Sequence, residues 1–386
     1  MPHKSFLKNV SAAVLLIAAS VTTPVLADSS DIALLAPPGD KVKPDKGNGG
    51  GGGGGGTTLP PIDTATPRGW MHGDVPLAWS YNGGSYLGAR DPSAAAGQRG
   101  VAMTFVDDFS SGNLRSGNLG DGAFSLQHGE WTSREGAMIA PLADIRTHDV
   151  FSGTGVTLPS YSGVFNVLNL SYSDNYDPAS ADALYADGTL FAQQETTIID
   201  FAKSGAAFVA KSAGNNGGTA VGDAVTTLVA GRGRPRYQTV RDYLSVGLMD
   251  AAGDNPATFS GVWVGALDGN SSVTYNPDGS STVNTKVSIA SYSTQAGTDS
   301  RVNANYLMVG VDPTLNGGLE GTSFAAPIVS GYAAILASKF KTATPTQVKN
   351  QLLATARQDT INDYSLTVHG QGEASIYRAV APDSIQ

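Results

Sequence analysis

Cysteine is missing altogether from the 386 residues. Its absence removes disulfides, thiolate metal sites, cysteine-linked lipids and a cysteine nucleophile from consideration. Charge is also sparse, at 15% of residues, too little for a coiled coil or a charged disordered chain. Lys and Arg number 24 against 33 Asp and Glu, for a net charge of −9. A surface so poor in cations has little to offer phosphates, so nucleic acid is not an expected partner. Apolar runs long enough to span a membrane are absent after the first 27 residues. No internal repeat and no second break in composition appears, which points to one domain of about 310 residues behind an N-terminal extension.

What is present begins with a secretory leader pattern over residues 1–27. Lys4 and Lys8 form the basic start, AAVLLIAASV the apolar stretch, and Val25-Leu26-Ala27 the small-residue cleavage site before Asp28. The apolar stretch falls short of the ~20 residues of a spanning helix. The expected product is a soluble protein secreted to the periplasm or the medium, with no membrane contact after cleavage. Losing Lys4 and Lys8 takes its charge from −9 to −11. Residues 28–68 hold repeated prolines, Lys/Asp pairs and eight consecutive glycines at 49–56. Such a composition cannot offset its own ordering entropy and reads as a flexible tether.

From residue 69 short apolar runs alternate with helical patterns, the mark of a parallel sheet covered by helices. Strands are expected at 100–106, 164–171, 206–211, 243–249, 261–267 and 304–311. Their near-continuous apolar character implies burial on both faces. Helices are expected at 128–136, 190–203, 323–340 and 345–357. Asn276-Pro277-Asp278-Gly279 marks a hairpin turn within the polar stretch 270–286.

The most informative segment is Gly321-Thr322-Ser323-Phe324-Ala325-Ala326-Pro327, leading into IVSGYAAILASKF. Ile328, Tyr332, Ile335, Leu336 and Phe340 recur at helical spacing, and Gly331 with three alanines permits close packing, so this is an expected central buried helix. Ser323 then lies at its amino end, where unpaired N–H groups and the helix dipole favour developing negative charge. A lone serine at a helix start is ordinarily a cap. Here the whole segment resembles the serine motif of the subtilisin-like peptidases, the subtilases, whose acid, base and nucleophile follow in the order Asp, His, Ser.

That resemblance implies a three-layer α/β fold with a mostly parallel central sheet, a single peptidase domain over 69–386, and serine endopeptidase activity on peptides or proteins by a monomer. It extends over about residues 98–381. GVAMTFVDDF resembles the family's acid strand and offers Asp107, directly after the strand, or Asp108. His128-Gly129 resembles the histidine motif, although Glu130-Trp131-Thr132-Ser133 departs from what usually follows. His72 is also followed by Gly but precedes the acid and so breaks that order, while His148 and His369 lack a motif and are expected in packing or at the surface. Ala213-Gly214-Asn215 resembles the segment whose Asn donates to the oxyanion. Asn169, Ser171, Tyr172 and Ser173 resemble the segment that pairs with substrate as an added strand, with Ala213 and Gly214 on the facing side. Ser173 replaces a usual glycine, and Tyr172 and Asp174 are placed to narrow or polarise the primary pocket. The chemistry needs no cofactor, while structural calcium, common in related enzymes, has no site legible here.

Three alternatives stand beside this reading. The altered acid and histidine surroundings, and the absence of a recognisable folding-assistant propeptide in 28–68, fit a catalytically silent binding module. A related acid-acting group pairs its serine with Glu and Asp, and the His128 motif counts against it. An esterase of another fold would carry a Gly-x-Ser-x-Gly elbow, and there is none.

Overall fold

The computed structural model describes residues 66–229, 236–276 and 278–385. The expected leader, and the expected tether up to residue 65, lie outside the described residues. In chain order the elements are α1 (Asp74–Trp79), β1 (Val101–Asp107), β2 (Leu114–Gly117), β3 (Phe124–Gln127), α2 (His128–Ile139), β4 (Asp144–Asp149), β5 (Phe165–Leu170), β6 (Asn175–Tyr176), α3 (Pro178–Ala186), α4 (Gln193–Ser204) and β7 (Phe208–Ser212). They continue with β8 (Val225–Val229), β9 (Arg236–Asp242), α5 (Tyr243–Asp254), β10 (Gly261–Leu267), β11 (Ser272–Tyr275), β12 (Ser281–Thr285), α6 (Ser300–Asn303), β13 (Tyr306–Gly310), α7 (Ala325–Lys339), α8 (Pro345–Thr355), α9 (Leu366–His369) and α10 (Ile376–Val380).

Six strands form the central sheet in the order β13-β10-β7-β5-β1-β4, and every pairing is parallel. The alternation of side chains along each strand feeds two cores. Met103, Phe105 and Val167 enter one with residues of α2, α7, α8 and α10. Leu168, Leu170 and Val209 enter the other with residues of α4 and α5. The architecture is therefore the three-layer α/β sandwich that the alternating pattern implied. Strand order reverses around β1, because β4 lies on one side of it and β5 on the other. In open α/β sheets such a reversal opens a crevice at the carboxyl ends of the strands.

The segment 243–249, expected as a strand, is instead the first half of α5. Asp242 caps it by accepting the N–H of Ser245 and the Ser245 hydroxyl at 2.8 Å. Tyr243, Leu244, Leu248 and Ala251 then bury one face. The cap decides between two readings of one short apolar run, which periodicity alone does not separate. The remaining five strand expectations are met within a few residues, and the hairpin in 270–286 is β11-β12. Two further antiparallel ribbons, β2-β3 and β8-β9, and the helices α1 and α3 carried no expectation. The chain is already part of the core at Trp70, whose indole N–H donates to Leu119 O at 2.9 Å. Among the described residues no helix is long and apolar enough to cross a membrane.

Candidate active site

Asp107 closes β1 at the reversal point and is 1% exposed. A carboxylate buried this deeply requires donors on its oxygens. Oδ1 accepts the N–H of Asp108 at 2.7 Å and lies 2.6 Å from Nδ1 of His128. Oδ2 accepts the hydroxyl of Thr132 at 2.7 Å. His128 and Thr132 stand four residues apart on α2, hence on one face, so a single helix delivers both groups to one carboxylate. Glu130 steadies the start of α2 by accepting the Gln127 N–H at 2.8 Å.

Asp108 behaves differently. Its carboxylate accepts the N–H groups of Ser110 and Ser111, at 3.1 and 2.8 Å, and the Ser111 hydroxyl. It shapes the turn after β1, while Asp107 faces the histidine. Gly129 lets Phe109 close over the start of α2, because a Cβ there would sit 2.7 Å from the Phe109 ring.

Ser323 arrives in a 3-10 turn, Thr322–Phe324, just ahead of α7, so the long helix starts two residues later than its pattern suggested. Two reciprocal bonds join this turn to the end of β5. The Ser171 hydroxyl donates to Ser323 O at 2.8 Å, and the Ser323 hydroxyl donates to Ser171 O at 3.2 Å. Asn169 supports Ser171 through Nδ2 to Oγ at 2.9 Å, and Ser330 of α7 donates to Asn169 Oδ1 at 3.2 Å. The side chains of Asn169 and Ser171 are thus committed to the Ser323 turn. Tyr172 and Ser173 are the partly exposed members of that segment. The ring after the serine, Phe324, packs against His128 with centroids 5.7 Å apart.

Asn215 follows β7, and its Oδ1 accepts the Thr322 N–H at 2.9 Å and the Thr322 hydroxyl at 3.1 Å. With Oδ1 so engaged, Nδ2 is the atom nearest the point where a Cβ at Gly321 would lie, 3.1 Å away. Gly321 also has φ 123°, which only glycine adopts readily. Gly214 is held on both sides, donating to Thr322 Oγ1 at 3.1 Å and accepting the Thr294 N–H at 2.9 Å. The segment 290–297 therefore braces the loop that carries Asn215.

Thr132 and Ser330 had no sequence expectation. Position i+4 from the histidine was the available signal for Thr132. His72 lies apart from this site, between Asp74 and Glu373. His148 meets Gln194 at 3.2 Å, and His369 is buried beside Tyr364. Among the described residues no group of three or more His, Asp or Glu is placed to hold a metal ion.

The arrangement brings a carboxylate, an imidazole, a serine hydroxyl and an amide to the carboxyl edge of one sheet. Similarity searches place it among known proteins. Mycosin-4 of Mycobacterium tuberculosis (strain ATCC 25618 / H37Rv) is 30% identical over 191 residues, 46% of this chain and 35% of that protein. The chain therefore matches about a third of that relative's length. Among solved structures, MycP1 from Mycobacterium smegmatis aligns at 18% identity and a TM-score of 0.44, over 85% of this chain and 89% of that one. A serine protease of Aeromonas sobria aligns at 18% and 0.45, over 83% and 64%. A family model described as the subtilase family matches residues 159–372, more than half of the chain, and the chain belongs to that family.

Proposed function

We propose that this chain is a secreted serine endopeptidase that cleaves peptides or proteins as a monomer outside the cytoplasm. The reading rests above all on the 2.6 Å contact between His128 Nδ1 and Asp107 Oδ1, made at the sheet edge where the Ser323 turn also arrives. A histidine whose Nδ1–H is held by a buried carboxylate presents Nε2 as a base. In this scheme Ser323 Oγ attacks the peptide carbonyl as His128 Nε2 takes its proton. Asp107 then stabilises the imidazolium. The carbonyl oxygen becomes an anion beside Asn215 Nδ2 and the Ser323 N–H, donors suited to it. His128 returns the proton to the leaving amine, and water releases the acyl group from Ser323.

The resting Ser323 hydroxyl donates to Ser171 O rather than to the imidazole. Catalysis on this scheme begins with a rotation about χ1 of Ser323. The same observation supports a second reading, a silent binding module whose serine is locked by β5. Purified protein and its Ser323→Ala variant, assayed on casein and with a fluorophosphonate probe, separate the two. The peptidase reading expects cleavage and labelling in the parent and neither in the variant. Intact cleavage by Ser323→Ala ends it, and a parent that neither labels nor cleaves leaves the binding module.

A further inference from the structure

A cavity opens beside the nucleophile turn, lined by Gly214, Ser173, Thr219, Gly222, Asp223 and Asp242 among others. Its two sides are the segments that flank Ser323, since Gly214 is bonded to Thr322 and Ser171 to Ser323. The side chain on the acyl side of a bond held at Ser323 would point here. Three features give the cavity a chemical preference.

Its charge is the first. Asp223 and Asp242 line it. Asp174 stands between two lining residues, Ser173 and Asn175, with its own N–H on Asp242 Oδ1 at 3.0 Å. Behind the wall the fully buried Lys211 lies 3.0 Å from Asp242 Oδ2 and donates to Ser212 O at 2.9 Å. Arg241, the next cation along β9, points away toward Asp182 at 3.1 Å. Among the described residues lining the cavity there is no Lys, Arg or His. Two carboxylates thus line the cavity, and the one ammonium paired with Asp242 does not reach it.

Polarity is the second feature. Ser173, Thr219 and Thr294 join the two carboxylates on the walls, and an aromatic or branched apolar side chain would cover them without offering partners. Size is the third. The space open to the centres of water-sized groups is about 20 Å³, a narrow base. Gly222 on its wall is held to glycine, since its φ of +82° disfavours any side chain and a Cβ there would meet Met249 Sδ at 2.7 Å. A narrow base lined by hydroxyls and carboxylates favours a compact cationic group over a flat apolar ring.

We infer, on the peptidase reading above, that the cavity selects a basic side chain on the acyl side of the cleaved bond, lysine ahead of arginine. The compact, strongly hydrated ammonium suits a small acidic base better than the planar guanidinium.

The test is a set of quenched fluorescent peptides that differ only at that residue, carrying Lys, Arg, Leu, Phe or Glu. Ser323 labelling by a fluorophosphonate probe runs on the same preparation. For the lysine peptide kcat/KM is expected at least about tenfold above Leu and Phe and about 100-fold above Glu. The Lys-to-Leu ratio should fall as salt rises, a readout on the parent protein that needs no variant. Asp223→Asn, at an exposed position, should narrow that ratio about 3- to 10-fold. A labelled enzyme that prefers Leu, Phe or Glu overturns the inference and leaves the peptidase reading standing. A Lys-to-Leu ratio indifferent to both salt and Asp223→Asn also overturns it. A preparation that neither labels nor cleaves overturns both.

Discussion

Valine at position 132 would keep the shape of α2 and remove one proton donor. Thr132 is fully buried, and its hydroxyl lies 2.7 Å from Asp107 Oδ2, an oxygen of a carboxylate that is itself 1% exposed. Oδ1 keeps the Asp108 N–H at 2.7 Å and His128 Nδ1 at 2.6 Å, so the loss falls on Oδ2 alone. A hydrogen bond to a charged group contributes about 1.5–3 kcal/mol. Valine fills the same volume, so no cavity cost adds to this. Thermal unfolding should then drop by about 2–5 °C for a domain of this size. If about half of the bond's contribution is felt when the imidazolium forms, kcat falls about 3- to 10-fold. KM should stay unchanged, because Thr132 acts through Asp107 and does not meet substrate. Differential scanning calorimetry and steady-state kinetics on Thr132→Val and Thr132→Ser provide the assay, with serine restoring both quantities. A valine variant indistinguishable from the parent, or a serine variant that falls as far, would refute the positioning role of Thr132.

Gly331 of α7 faces Ile139 of α2, and a Cβ there would sit 2.3 Å from Ile139 Cγ2. Gly331→Ala should therefore lower stability by about 1–3 kcal/mol in urea titration, with Ile139→Ala, which removes the contacted Cγ2, recovering part of the loss in the double variant. For His72, burial pulls the pKa down, but the hydrogen bond and charge of Asp74, with the charge of Glu373 and a bond to Ser271, outweigh it and raise the value above 6.5. Asp74 in turn accepts the hydroxyls of Tyr275 and Ser375, and Arg357 lies over the Tyr275 ring. A raised value means that the proton's contribution to stability is complete below 6.5 and disappears as pH climbs through the folded-state value. The melting temperature of the parent should fall more steeply over that window than that of His72→Gln, and parallel curves would exclude this account.

Much of this layout could be read from residue order because buried parallel strands leave a strong trace. GVAMTFV and GVWVGAL are almost wholly apolar, and each is a strand flanked by two others. YLSVGLM has the same look and is a helix, since what decides it is one carboxylate at 242 capping Ser245. The motif residues around Ser323, His128 and Asn215 were legible as local patterns. The support around them was not. Thr132, Ser330 and the inward turn of Asn169 and Ser171 depend on contacts between segments up to 161 positions apart, which no local pattern encodes. Which of Asp107 and Asp108 turns toward α2 likewise needed three dimensions, because they are adjacent at the strand's end and only Asp107 meets His128 and Thr132.

Asp242 ends β9, starts α5 and neutralises Lys211. One carboxylate thus fixes where a ribbon stops, where a helix begins and how an interior amine is tolerated. Saturation mutagenesis at that codon should return mostly clones that fail to fold, whatever substrates are offered. Ser173 lines the same cavity as Asp242 with none of these duties, so engineered variety in recognition is more readily gathered there.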